Sequence, residues 1–495
     1  MPRDQNFLLG QGERLTEPVS VPSGGGRKNP PYNFETAQVR IKSRLEVASQ
    51  EFADLPREAC PQDEVVAVLT LHPRYLSKSD FPHDLLNAVD LRPLGSRTRQ
   101  LTPEEWGIKD HPESAVAEDI FVAGRRGSFF EWTSHIDEWT TRVSGATALT
   151  HLEDLSAFRA ENKLRSIPED RDEAVLEIVL HNDGNDEIIE AYYAYVQRFE
   201  SEPIVNKRRD VRGLTFLPVR APTRAAADLA RFSFVRVARG MPTLRPLQPT
   251  LVRMAHNFPV ELPEEPPLNS EVRAVIFDGG LPSSIDLSRW VNYHEPAGIG
   301  NAVPNLQEHG LAVTSALLFG PLHGSEPVQQ PICGVDHVRV LDELTGIDAT
   351  DLEVVDVLDR ITEYLDNHPN VHQFINISLG PDLSVNDDEI TLWTAELDQR
   401  LAHGHIVTTV AVGNNGLYDA ASGLNRVQPP GDAVNVLAVG AASSLGSIWQ
   451  RAPYSCVGPG RSPGLIKPDG LAFGGSQGEP FMVLEVDPIR RTASR

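Results

Sequence analysis

The chain of 495 residues carries 45 Lys+Arg against 69 Asp+Glu, a formal charge of −24, with 40% hydrophobic and 23% charged residues. This composition excludes wholesale disorder and fibrous repeats, and the acidic balance opposes broad contact with phosphate backbones or an anionic membrane surface. No apolar run approaches the roughly 18 residues of a membrane helix. Met1–Gly10 lacks the basic start, apolar stretch and small-residue cleavage site of a secretory signal, so the expected location is cytoplasmic. Cys60, Cys333 and Cys456 are widely spaced and odd in number, which fits neither a disulfide framework nor a paired-cysteine metal site.

Residues 1–33 contain Gly24, Gly25 and Gly26 beside Arg27, Lys28, Pro30 and Pro31 and read as a flexible leader. Those glycines follow no strand and precede no Gly-Lys-Ser/Thr, so they are not a phosphate loop. From Phe34 to Phe52, Ala37, Ile41, Leu45, Ala48 and Phe52 recur at helical steps. Strand signals follow at Val65–Leu71, Ala174–Leu180, Leu214–Leu217 and Phe232–Val237, with helical stretches at Ile188–Phe199 and Thr223–Ala230, predicting an α+β or α/β unit over residues 34–240. Seven prolines between Pro242 and Pro267 exclude regular helix or central strand and mark a linker over residues 241–270, with the boundary near residue 265.

Beyond it, strands are expected at Val272–Phe277, Val335–Val340, Gln373–Ser378, His405–Val412 and Val434–Val439. A helix through Leu352, Val355, Leu358, Ile361 and Leu365 lies between the second and third, with Thr350 placed to cap it. Short apolar strands alternating with helices predict an α/β fold: a parallel sheet with helices on both faces and its site at the carboxyl ends of the strands.

Four segments place chemistry at that edge. Asp278 is the first polar residue after a buried strand and precedes Gly279 and Gly280; it suits fixing and charge-stabilising an imidazole, although this segment taken alone favours an ordinary turn. His309 opens Glu308-His-Gly-Leu-Ala-Val-Thr-Ser, the expected first turn of a buried helix, where a rigid ring suits a general base or a capping role. Asn414 follows a strand in Gly413-Asn-Asn-Gly416, where its amide could donate to an oxyanion or simply form a turn. Phe374-Ile-Asn-Ile-Ser-Leu-Gly380 is a strand that breaks at glycine and could offer its edge to an extended peptide.

In this order, Asp, His, strand edge and Asn resemble the motifs of a subtilisin-like serine peptidase, a subtilase. Ala274–Leu281 resembles the family's Asp motif, with Phe277 and Gly279 as slight departures, and His309–Ser315 its His motif, with Leu311 as the departure. Ala411–Asn414, Val436–Ala442, Tyr454–Gly460 and Lys467-Pro-Asp469 with Gly474 and Gly475 resemble later landmarks, so the likeness covers roughly residues 270–480. It implies a peptidase domain over residues 271–495, with His309 as general base, Asp278 holding its tautomer, Asn414 as oxyanion donor, and Ser378, Leu379 and Gly380 binding a peptide or protein substrate. No cofactor or metal is implied, and residues 34–240 could serve a regulatory protein partner.

One family element is missing from the sequence: no Gly-Thr-Ser motif follows Lys467-Pro-Asp469. Ser476 lies close to that segment with Pro480 behind it, and Ser494 has one residue after it, so neither suits a helix-borne nucleophile. The expectation is a serine endopeptidase whose nucleophile is not evident and whose domain is incomplete at its C-terminal side; the alternative is an inactive homologue that binds peptides or proteins. His368 and His372 stand four apart, but Pro369 between them favours a loop over a metal site.

Overall fold

In this computed structural model the described residues are 29–246, 260–323, 327–347, 350–386, 389–446, 449–461, 466–486 and 493–494. The leader expected over residues 1–33 therefore falls almost wholly outside them, as do residues 247–259 of the expected linker.

Helix α1 (Phe34–Ala53) buries Ala37, Ile41, Leu45, Ala48 and Phe52, the five positions its periodicity selects, and Asn33 caps it by accepting the Thr36 N–H. There follow β1 (Glu64–Leu71), α2 (His83–Ala88), β2 (Arg92–Leu101), β3 (Ala115–Arg125), α3 (Arg126–His135), β4 (Leu152–Ala157), β5 (Leu164–Arg165), β6 (Glu173–His181), α4 (Asp186–Val196), β7 (Glu202–Pro203), β8 (Arg209–Val211), β9 (Leu214–Pro222), α5 (Ala226–Ala230) and β10 (Val235–Gly240). They make one antiparallel sheet ordered β2-β3-β1-β4 and a second ordered β5-β10-β6-β9-β7, with β8 on β9. The N-terminal region is thus α+β.

The remaining strands are β11 (Asn269–Asp278), β12 (Val291–His294), β13 (Cys333–Arg339), β14 (Phe374–Ile377), β15 (Val407–Ala411), β16 (Leu437–Ala442) and β17 (Gly470–Phe473), with helices α6 (Pro304–Phe319), α7 (Glu353–Asn367) and α8 (Leu392–Leu401); β18 (Glu485–Val486) pairs with β19 (Ala493–Ser494) apart from the main sheet. The seven strands β11–β17 form one parallel sheet in the order β12-β13-β11-β14-β15-β16-β17. The chain leaves β11 toward β12 and β13 and returns to β14 on its other side. That reversal makes the carboxyl end of β11 the switch point of the sheet, where α/β folds place their sites.

Alternation along the strands assigns the two faces. Ala274 and Ile276 of β11 pack with Leu311 and Leu318 of α6. Val275 and Phe277 pack instead with Val355, Leu358 and Ile361 of α7 and Trp393 and Leu397 of α8. Helices therefore lie on both faces, as expected, but unequally. In register with Ala274, Phe374 and Val407 also face the α6 side, and with Leu437 they are 43%, 45% and 48% exposed.

The second N-terminal sheet works on both of its faces. Ala174, Leu176, Ile178 and Leu180 of β6 point into the N-terminal core, whereas Val175 and Val179, with Phe216 and Val237, share a core with α7 and α8. Charge follows this seam: Lys207 bonds Asp356 at 2.5 Å and Asp359 at 2.8 Å, and Arg236 bonds Glu389 at 2.7 Å.

Two local expectations change. Thr350 does not cap α7; Leu352 holds that position without a side-chain bond. α6 starts at Pro304, so His309 sits one turn deeper than the first turn. A proline is suited to helix position N1, which lets the helix begin ahead of its apolar stretch.

Candidate active site

Asp278 is the last residue of β11 and is fully buried. Its Oδ1 accepts the Gly279 N–H at 2.7 Å, and its two oxygens lie 2.8 and 2.9 Å from His309 Nδ1. An ionised carboxylate only accepts, so Nδ1 carries the proton and Nε2 is the acceptor nitrogen of the neutral ring. The imidazole is about a quarter exposed, whereas its carboxylate partner is sealed.

Glycines make this pair possible. Gly280 turns the chain at φ 98°, in the left-handed region that favours glycine. Gly310 follows His309, and a Cβ there would stand 2.2 Å from the Gly280 carbonyl and 3.0 Å from His337 Cε1. The first turns of α6 thus lie directly on the Asp278 turn. Beneath them His337 is buried with Nδ1 2.9 Å from the Thr314 hydroxyl, and burial pushes its imidazole down to about 4, so it stays neutral.

Ser378, Leu379 and Gly380 continue β14, the neighbour of β11, and Asn414 follows β15, the next strand. Ser378 and Asn414 line one cavity of about 360 Å³ together with Asn376, Ala411, Gly413 and Tyr454. Gly413 adopts φ 99°. His368 bonds the Tyr364 carbonyl at 2.8 Å and His372 bonds Asp336 at 2.7 Å, so the two rings serve separate partners.

The subtilase family model, Peptidase_S8, matches residues 261–493. Over that span the chain is similar to the subtilase family. The protease domain of PatA is similar to this chain at 21% identity, over 41% of this chain and 67% of that one, with a TM-score of 0.30. The patellamide maturation protease PatG is similar at 17% identity, over 43% and 69%, with a TM-score of 0.28. MycP1 from Mycobacterium smegmatis is similar at 17% identity, over 38% and 55%, with a TM-score of 0.27. No curated protein matches the chain.

The two serines expected to be unsuited to nucleophilic attack lie one in a turn and one in a strand. Ser476 Oγ accepts the Glu479 N–H at 3.3 Å in a tight turn whose Ser476 N–H returns to the Glu479 carbonyl. Ser494 lies in β19. Among the described residues, neither follows the start of a helix.

The strand edge after β14 carries an occupant that the sequence did not reveal. The Thr243 carbonyl accepts the Asp382 N–H and the Arg245 N–H donates to the Gly380 carbonyl, each at 2.8 Å, so that Leu244 stands opposite Pro381 as an antiparallel bridge. Thr243–Arg245 follows β10 by only two residues. Prolines 242 and 246 flank it, a composition that reads as linker when the partner strand is unknown.

Proposed function

We propose that residues 261–493 act on polypeptide chains through the acyl-transfer chemistry of a serine peptidase. The observation that carries this reading is the buried Asp278 carboxylate receiving His309 Nδ1–H, one strand away from an edge that accepts an extended segment. In the proposed reaction the substrate adds along Ser378, Leu379 and Gly380. His309 Nε2 takes the proton of an attacking hydroxyl as its oxygen bonds to the carbonyl carbon, then gives that proton to the departing amine. Asp278 holds the tautomer and stabilises the imidazolium. Asn414 donates to the tetrahedral oxyanion, a contact of about 3 kcal/mol in the transition state.

A second reading, peptide binding without chemistry, draws support from the own-chain strand on the edge and from the turn that engages Ser476. In either reading residues 29–246, which deliver that strand, are the regulatory part. Labelling the purified chain with a fluorophosphonate and locating the adduct by mass spectrometry separates the two. An adduct lost in His309→Ala supports hydrolysis; folded protein with no adduct overturns it and leaves binding.

A further inference from the structure

The bridge at the strand edge also buries a side chain. Arg245 is 9% exposed, and its guanidinium leaves the edge inward: Nη1 reaches the Ala411 carbonyl at 3.5 Å and Nη2 the Pro429 carbonyl at 3.4 Å, while Nε has no partner among the described residues. These acceptors are main-chain groups at the end of β15 and in the loop before β16. Gly380 makes the room: a Cβ on it would stand 2.6 Å from Arg245 Nη2 and 2.3 Å from the Pro429 carbonyl.

Direction matters as well. Pairing of Thr243 with Asp382 and of Arg245 with Gly380 carries the chain from Asp382 toward Ser378, which is toward the carboxyl edge where Asp278 and His309 stand. Arg245 thus occupies the line that a substrate strand would take in the function proposed above, and this inference rests on that reading.

We infer that the cavity beside Gly380, closed by the Ala411 and Pro429 carbonyls, is a side-chain subsite for arginine, and that Arg245 is its resident occupant. The chemistry is that of neutral, fixed acceptors facing a planar fork of donors. The Asp382 carboxylate adds attraction from a distance, while burial brings the guanidinium down to about 10, still charged at neutral pH. The protein would therefore accept extended peptides bearing arginine at the position opposite Gly380.

The test uses the full chain carrying Arg245→Pro, which removes both the guanidinium and the amide that bonds Gly380. The probes are four fluorescein-labelled heptapeptides: Met-Pro-Thr-Leu-Arg-Pro-Leu and the same sequence with citrulline, lysine or leucine for arginine. By fluorescence anisotropy the arginine peptide is expected to bind at least about 10-fold tighter than the citrulline and leucine peptides, and Gly380→Ala to remove that preference. Equal binding of all four overturns the arginine subsite while leaving the peptide edge intact. No binding by any of them, on protein that hydrogen exchange shows to be folded, overturns the edge itself and the subsite with it. If Arg245→Pro does not fold, exchange at the Asp382 amide decides: protection at least about 10-fold lower in Arg245→Leu and Arg245→Lys than in the parent supports the subsite, and unchanged protection refutes it.

Discussion

Lys163 offers a test of the structure that needs no enzymatic activity. It is 1% exposed, with Nζ donating to the carbonyls of Phe232 at 3.0 Å and Ser233 at 3.3 Å, and burial pushes its ammonium down to about 7. In the unfolded chain the group titrates near 10.5. Between those values the unfolded chain holds a proton that the folded protein does not, so this group makes stability rise with pH across that window. Below about pH 7 both states are protonated and the dependence stops, with the full cost of burying the charge in place. Each pH unit in the window is worth about 1.4 kcal/mol, which over the span from 7 to 10.5 comes to about 5 kcal/mol. Lys163→Met removes the charge and keeps the volume. Urea unfolding of parent and variant at pH 6.5, 7.5, 8.5 and 9.5 should show the variant's relative advantage shrinking by about 1.4 kcal/mol per unit above pH 7, because other titrating groups cancel in the difference. Two stability curves that run parallel through this range would refute the buried, pH-sensitive placement of Lys163.

Other perturbations probe the site and the seam. Gly310→Ala puts a Cβ 2.2 Å from the Gly280 carbonyl, which is main chain and cannot step aside; thermal denaturation should show a loss of about 2 kcal/mol or more, and the downfield proton resonance of His309 Nδ1–H should vanish or shift. Glu389→Gln takes the charge from a buried carboxylate bonded to Arg236 at 2.7 Å, and chemical denaturation should register a loss of about 3 kcal/mol. Trp393→Ala empties a position shared by α7, α8 and the second N-terminal sheet, where about 3–5 kcal/mol is expected from the same assay. Should the chain react with a fluorophosphonate, Asp278→Asn should slow labelling about 10⁴-fold in a timed assay, because an amide can face Nδ1 with the wrong tautomer.

The strands that could be read from sequence are those whose burial leaves almost only apolar residues, such as Val65–Leu71 in β1, with Thr70 as its one polar member, and Ala274–Phe277 in β11. β2 escaped because it is an edge strand with Arg97 and Arg99 turned to the buried Asp119, so it shows neither an apolar run nor an alternation. β12 and β17 are four-residue edge strands, too short to carry a period. β16 begins at Leu437 rather than Val434, a displacement of the kind expected where a loop enters a strand. At the site, Asp278 and His309 were legible because a buried strand ending in Asp-Gly-Gly and a small-residue helix beginning near His-Gly narrow the chemistry sharply. Arg245 was not, since an arginine among prolines is ordinary until the partner edge is known. The sharing of one core by β6, β9, β10, α7 and α8 was equally hidden: inward-facing Val175 and Leu176 look alike in sequence although they serve opposite faces.

The short run from Gly240, the end of β10, to Thr243 has a consequence for competition at the edge. A segment tethered by two residues, Met241 and Pro242, to a docked sheet presents itself at an effective concentration on the order of millimolar or more, so a free peptide at cellular levels meets an edge already taken. Cutting the chain beyond Pro246 would not relieve this, because the hold on Thr243–Arg245 comes from the upstream side. Lifting the sheet from α7 and α8 would carry the segment off the edge and expose Val175, Val179, Phe216 and Val237 together. Occupancy of the edge is therefore tied to two things at once, the bridge at Leu244 and the apolar seam that holds β10 in place.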